Sequence, residues 1–114
     1  MYGTIMRAKM KKECLRDFFA LGKEWDGHER KRAVGYINSE MLWEDKEEGR
    51  FCMVVHFTSK DAYFKNAGSP EQDAFYKRMR ACLEGDPEWI DGTYEQWDST
   101  YAHPPAWGEP ARKT

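Results

Sequence analysis

The stretch from Arg50 to Trp89, RFCMVVHFTSKDAYFKNAGSPEQDAFYKRMRACLEGDPEW, constrains the fold more than any other. Its first part, Arg50 to Thr58, is dense in Phe and Val, which favours a strand. That strand is apolar on both alternations, with Phe51, Met53, Val55 and Phe57 on one and Cys52 and Val54 on the other. A sheet that is apolar on both faces has to be covered on both. Two helix starts follow almost without a loop. Ser59 is an N-cap with Asp61 in the first turn. After the break NAGSP, Ser69, Pro70 and Gln72 supply a second cap, a proline at the first helical position and the far member of a capping box. The spacing predicts a short helix over 60–66 and a longer one with Phe75, Met79 and Cys82 on its buried stripe, closed by Gly85 and Pro87.

The rest of the chain supplies the partners. Tyr2 to Met10 reads as a first strand. Leu15, Phe18, Gly22 and Trp25, with Cys14 and Leu21 beside them, recur at helical spacing. The basic cluster His28 to Arg32 reads as a solvated turn. Ala33 to Trp43 is a second strand, 44–49 a hairpin loop, and Glu88 to Trp97 a last strand. The order strand, helix, strand, strand, helix, strand predicts an α+β, ferredoxin-like βαββαβ antiparallel sheet with both helices on one face. Residues 1–100 are expected to form this single domain, and 101–114 a Pro-rich C-terminal arm that packs through Tyr101 and Trp107. With 114 residues there is one core and helices enough for one face. The strand set Phe51, Met53, Val55 and Phe57 is therefore expected to be covered by a second copy of the chain, burying more than ~2,000 Å² in total.

Composition narrows the function classes. The 18 basic and 20 acidic residues nearly cancel, so there is no general pull toward nucleic acid or an anionic membrane. No stretch approaches the roughly 20 apolar residues of a membrane span, and the N-terminus lacks the pattern of a signal peptide. Cys14, Cys52 and Cys82 are odd in number and widely spaced, which fits free thiols in a reducing cytoplasm. Metal-ligand spacings and nucleotide-binding glycine motifs are absent from the sequence.

Each candidate residue admits two readings. His56 acts as a general base on a phenol, or it packs in the core or against a partner chain. Asn66 bonds a ligand carbonyl at a pocket mouth, or it ends a helix beside Gly68. Tyr36, Trp43, Tyr63 and Tyr76 stack on a flat aromatic ligand, or they pack as amphipathic core. Arg80, one turn beyond Tyr76, binds an anionic substituent or lies on the surface. Asp86, Glu88, Asp91 and Glu95 read as a solvated edge.

The layout, above all GRFCMVVHFTSKDAYFKNAGSPEQDAFYKRMRACLEGDPEW, resembles the antibiotic biosynthesis monooxygenase-like proteins of the dimeric α/β-barrel superfamily, over roughly residues 2–97. The resemblance implies a homodimer whose sheets face each other. It also implies a cavity between sheet and helices near the break, and cofactor-independent monooxygenation of a small quinol- or phenol-like aromatic. A non-catalytic homodimer that binds a small apolar ligand is the alternative. The chain departs from the family pattern in several places. Asn66 stands where many members carry a histidine, Phe57 stands near the third-strand tryptophan of the haem-degrading members, and no asparagine precedes Asn38. Haem degradation by that arrangement is disfavoured. The oxygenases' Asn, Trp and Tyr set has no residue-by-residue match here.

Overall fold

A computed structural model describes residues 1–97 and Trp107. Strands β1 (Tyr2–Lys9), β2 (Tyr36–Trp43), β3 (Arg50–Phe57) and β4 (Glu88–Thr93) form one antiparallel sheet in the order β2-β3-β1-β4. This is the ferredoxin-like arrangement that the element order predicts. Helices α1 (Leu15–Glu24), α2 (Arg30–Arg32), α3 (Lys60–Ala67) and α4 (Pro70–Arg80) supply the second layer. Among the described residues no helix is long and apolar enough to cross a membrane.

Both predicted caps form. Ser59 Oγ accepts from the Ala62 N–H at 3.1 Å, and Ser69 Oγ from the Gln72 N–H at 3.2 Å. The solvated turn expected at His28 to Arg32 is instead helical. A π-helical turn, Trp25–Glu29, carries α1 directly into α2. Local pairing supports it: Arg30 bonds Asp26 at 2.8 Å and Arg32 bonds Glu29 at 2.7 Å, at the i,i+4 and i,i+3 spacings that a helix brings together. The second strand accordingly begins at Tyr36 rather than Ala33, and the last ends at Thr93 rather than Trp97.

The register assigns the two faces. β1 pairs Met6 with Met53 and Ala8 with Phe51, and these side chains face the helices. Met6, Ala8 and Phe51 are buried with Phe18 and Leu21 of α1 and with Cys82 and Leu83 after α4. The set Phe51, Met53, Val55 and Phe57 thus belongs to the chain's own core and cavity, which corrects the expectation that it awaits a partner. The richer apolar set goes to the face the helices cover, and the sparser one is left outside. On that outer face Ile5 lies between Val54 and Ile90, and Cys52 lies beside Leu42. Ile90 and Leu42 are exposed by 63% and 58%.

Gly3 shows why one end of the outer face needs a residue without a side chain. A Cβ there would collide with the Val55 carbonyl oxygen and press on the Tyr94 ring. Tyr94 instead lies across this end, its hydroxyl donating to the Thr4 carbonyl at 2.9 Å. The expected C-terminal arm falls outside the described residues, apart from Trp107, which is exposed on this chain.

Candidate functional site

The second layer does not fill the space over the sheet. Residues 66–69 break the rod, and the turn is fixed by Ser69, whose hydroxyl donates to the Asn66 carbonyl at 2.8 Å while it caps α4. A cavity of about 640 Å³ opens between sheet and helices beside this break. That volume is in the range of small-molecule sites. Its floor is the helix-facing set of the strands, chiefly Thr4, Met6, Met53, Val55 and Asp91. Phe18, Leu21 and Trp25 wall it from α1 and its π turn, while Phe75, Tyr76 and Met79 wall it from α4. The Trp25 indole N–H donates to Gln72 at 3.1 Å and so ties one wall to the other.

The polar groups are few and placed. Asn66 sits at the break, and its side-chain oxygen accepts from Arg32 at 3.5 Å. Arg32 also donates to Ser69 Oγ at 3.2 Å and to Glu29 at 2.8 Å, so one guanidinium holds the break, the cap and the end of the first rod. With its oxygen so engaged, the Asn66 amide has its N–H groups left to offer. On the floor, the Tyr63 hydroxyl donates to Asp91 at 3.3 Å. Burial first, and then the Asp91 charge, pushes the Tyr63 phenol up to about 12, so it stays a neutral donor. Burial likewise raises Tyr76. Three carboxylates line the cavity, and two are neutralised, Asp26 by Arg30 at 2.8 Å and Asp73 by Lys77 at 3.1 Å. Asp91 makes no ion pair among the described residues. No Lys, Arg or His lines the cavity, and no cluster of three metal-ligating side chains occurs among the described residues.

The cavity brings together four of the residues singled out from sequence: Asn66, Tyr36, Tyr63 and Tyr76. Tyr36 packs edge-on to Trp25 with ring centres 4.6 Å apart, and Tyr76 lies 5.8 Å from Trp89. Three others lie elsewhere. Trp43 packs on Phe51 at 5.4 Å at the hairpin end of the sheet, where the start of α1 closes the core. Arg80 turns past the end of α4 to Asp86 at 3.0 Å and to the Leu83 carbonyl at 3.2 Å, which makes it a terminus cap rather than an anion site. His56 is on the outer face. Its Nδ1 meets Asn38 Oδ1 at 2.9 Å and its ring lies 4.1 Å from that of Tyr94. Residue 56 alternates with 55 and 57, so a cavity-facing Val55 and a buried Phe57 force His56 to the other side. It is not at the rim of the cavity and cannot serve there as a base.

Asp91, read from sequence as part of a solvated edge, is exposed but lines the cavity, and Trp89 and Arg32 were not singled out at all. For the first two the signal was present, since alternation in EWIDGT puts Trp89 and Asp91 on one face and Glu88 and Ile90 on the other. Arg32 carried no such signal, because its partners at the break, Asn66 and Ser69, lie far along the chain.

No protein-family model matches the chain, and neither does any curated protein. Solved structures do share its fold. SnoaB, a cofactor-independent oxygenase from Streptomyces nogalater, superposes with a TM-score of 0.69 at 16% identity, over 84% of this chain and 94% of that one. An antibiotic biosynthesis monooxygenase superposes with a TM-score of 0.66 at 13% identity, over 82% and 98%. A conserved protein from Methanosarcina mazei Go1 gives 0.67 at 16%, over 78% and 87%. At such identities the likeness is one of fold. The chain is built as the antibiotic biosynthesis monooxygenase structures are.

Proposed function

We propose that this chain, built on the fold of antibiotic biosynthesis monooxygenases, is a cofactor-independent monooxygenase for a small quinol- or phenol-like aromatic held between sheet and helices. The observation that carries the reading is the cavity itself, aromatic-walled, with a fixed amide at Asn66 and one free carboxylate at Asp91. Flat rings stack on Tyr36, Tyr76 and Trp89. Asn66 donates to a ligand oxygen. Asp91, with acceptor capacity beyond its Tyr63 bond, accepts from a ligand hydroxyl and enriches the ring in electrons. The ligand is the reductant: one atom of dioxygen enters the ring as a quinone carbonyl. The other leaves as water with the phenolic hydrogen and the displaced ring hydrogen.

With carboxylates in its lining and no cation, the cavity favours neutral phenols over aromatic carboxylates. Oxygen uptake with quinols and polycyclic phenols tests the reaction. Asn66→Ala should weaken ligand binding roughly 10-fold, the worth of one hydrogen bond, and isosteric aromatic carboxylates should bind more weakly than the phenols. The second reading, a ligand-binding protein without turnover, is favoured by the position of His56, which leaves the cavity without a histidine base. Saturable binding with no oxygen uptake would select it.

The working form is proposed to be a homodimer in the reducing cytoplasm. The outer-face stripe, with Ile90 and Leu42 exposed and Ile5 and Val54 half-buried between them, is the face available to a second copy. Sedimentation should give twice the 13.5 kDa of one chain. A compact monomer at micromolar concentration would contradict it.

A further inference from the structure

Away from the helix break, two of the three cysteines meet. Cys14 stands at the entrance to α1 and Cys82 just beyond α4. Lys11 joins their backbones: its N–H donates to the Cys82 carbonyl at 2.9 Å, and its carbonyl accepts from the Cys14 N–H at 3.0 Å. Beside this link Met10 bridges Leu83. Cys82 is buried in the core cluster, and Cys14, half-buried, packs against it. The two side chains thus belong to one packed cluster, on backbones that a single residue joins. Burial, and then the neighbouring Cys14 sulfur, pushes the Cys82 thiol up. Cys52 has no such neighbour among the described residues and stands on the outer face of the sheet between Arg7 and Leu42.

We propose that Cys14 and Cys82 are a redox pair that closes to an intramolecular disulfide when the protein meets a hydroperoxide. Cys14 is the sulfur a small oxidant reaches first. As thiolate it attacks a peroxide oxygen, the O–O bond breaks, and Cys14 becomes a sulfenic acid while the remainder leaves as water or an alcohol. The Cys82 sulfur, packed in the same cluster, attacks the Cys14 sulfur. The S–S bond forms, the S–O bond breaks, and the departing hydroxide takes the Cys82 proton as water. Two thiols give up two electrons and two protons, and the peroxide accepts them. The bond would join α1 to the segment after α4. Both helices wall the cavity, through Phe18 and Leu21 on one side and Phe75 and Met79 on the other. Oxidation therefore locks the helical layer onto the sheet.

The test uses the whole protein and dilute hydrogen peroxide. Thiols titratable after denaturation should fall from three to one, and the intact mass should drop by two hydrogens. Peptide mapping should give the Cys14–Cys82 link, reversed by dithiothreitol. Closing so long a loop should raise Tm by roughly 10 °C. Cys52→Ser should keep the response, and Cys14→Ser, at a half-exposed site that tolerates the change, should abolish it. Cys82→Ala provides the same reading from the buried side. Three thiols persisting in excess peroxide, Cys14 over-oxidised with Cys82 still reduced, or a Cys52-linked dimer as the only disulfide would each overturn the proposal.

Discussion

Phe51→Ala is expected to cost the fold about 3–5 kcal/mol, the range for removing an aromatic side chain from a filled core. Phe51 is fully buried. It meets Phe18 edge-on with ring centres 5.7 Å apart and Trp43 at 5.4 Å, so α1 and β2 both rest on it. Its strand is central, bonded to β1 on one side and β2 on the other, so relaxation of the backbone into the void is restricted. Domains of this size have about 5–15 kcal/mol in all, and a loss of this order leaves little margin. Phe64→Ala is the comparison. Phe64 is 45% exposed and, among the described residues, makes ring contacts with Tyr2 and Tyr63, so its loss should cost far less. Urea unfolding of the two variants checks the pair. Equal losses would mean that the core is not centred where β3 meets α1.

Val55→Trp is expected to abolish ligand binding, by roughly 100-fold or more, while leaving the fold intact. Val55 lies on the cavity floor in the row of Ser39, Thr4 and Asp91. An indole there enters space that no side chain occupies. The usual 1–3 kcal/mol for overpacking a filled core is thus avoided, while the space between the aromatic walls that a flat ligand would use is lost. Circular dichroism and denaturant midpoint establish the fold, and quenching of tryptophan fluorescence by a polycyclic phenol measures the binding. Unchanged affinity would place the ligand elsewhere.

Much of the fold was legible because its local signals agree. Ser59, Ser69, Pro70 and Gln72 marked two helix starts at their observed positions, and the alternation of β3 marked a strand apolar on both faces. The choice between those faces was legible too, but only by combining strands. In β1 the set Thr4, Met6, Ala8 and Met10 is apolar against Arg7 and Lys9, and register then places Phe51 and Met53 on the same side. Read alone, β3 led to the opposite assignment, and with it to a His56 near the cavity. The continuation of the helix through His28 to Arg32 was hidden, since Gly27 and a run of charge look like a turn. Asp26–Arg30 and Glu29–Arg32 pairing outweighs that. Of the site, the tyrosines and Asn66 were visible because aromatic residues and a broken helix are local features. Arg32, which fixes the break from 34 residues away, was not.

The most direct test of the cavity as the working site is oxygen uptake with polycyclic phenols, measured for the wild-type chain and for Val55→Trp at matched protein concentration. Saturable uptake by the wild type that disappears in the blocked variant, with one water formed per oxygen molecule consumed, is the predicted result. Wild-type protein that neither takes up oxygen nor binds any phenol, or a blocked variant that turns over as fast as the wild type, would contradict it.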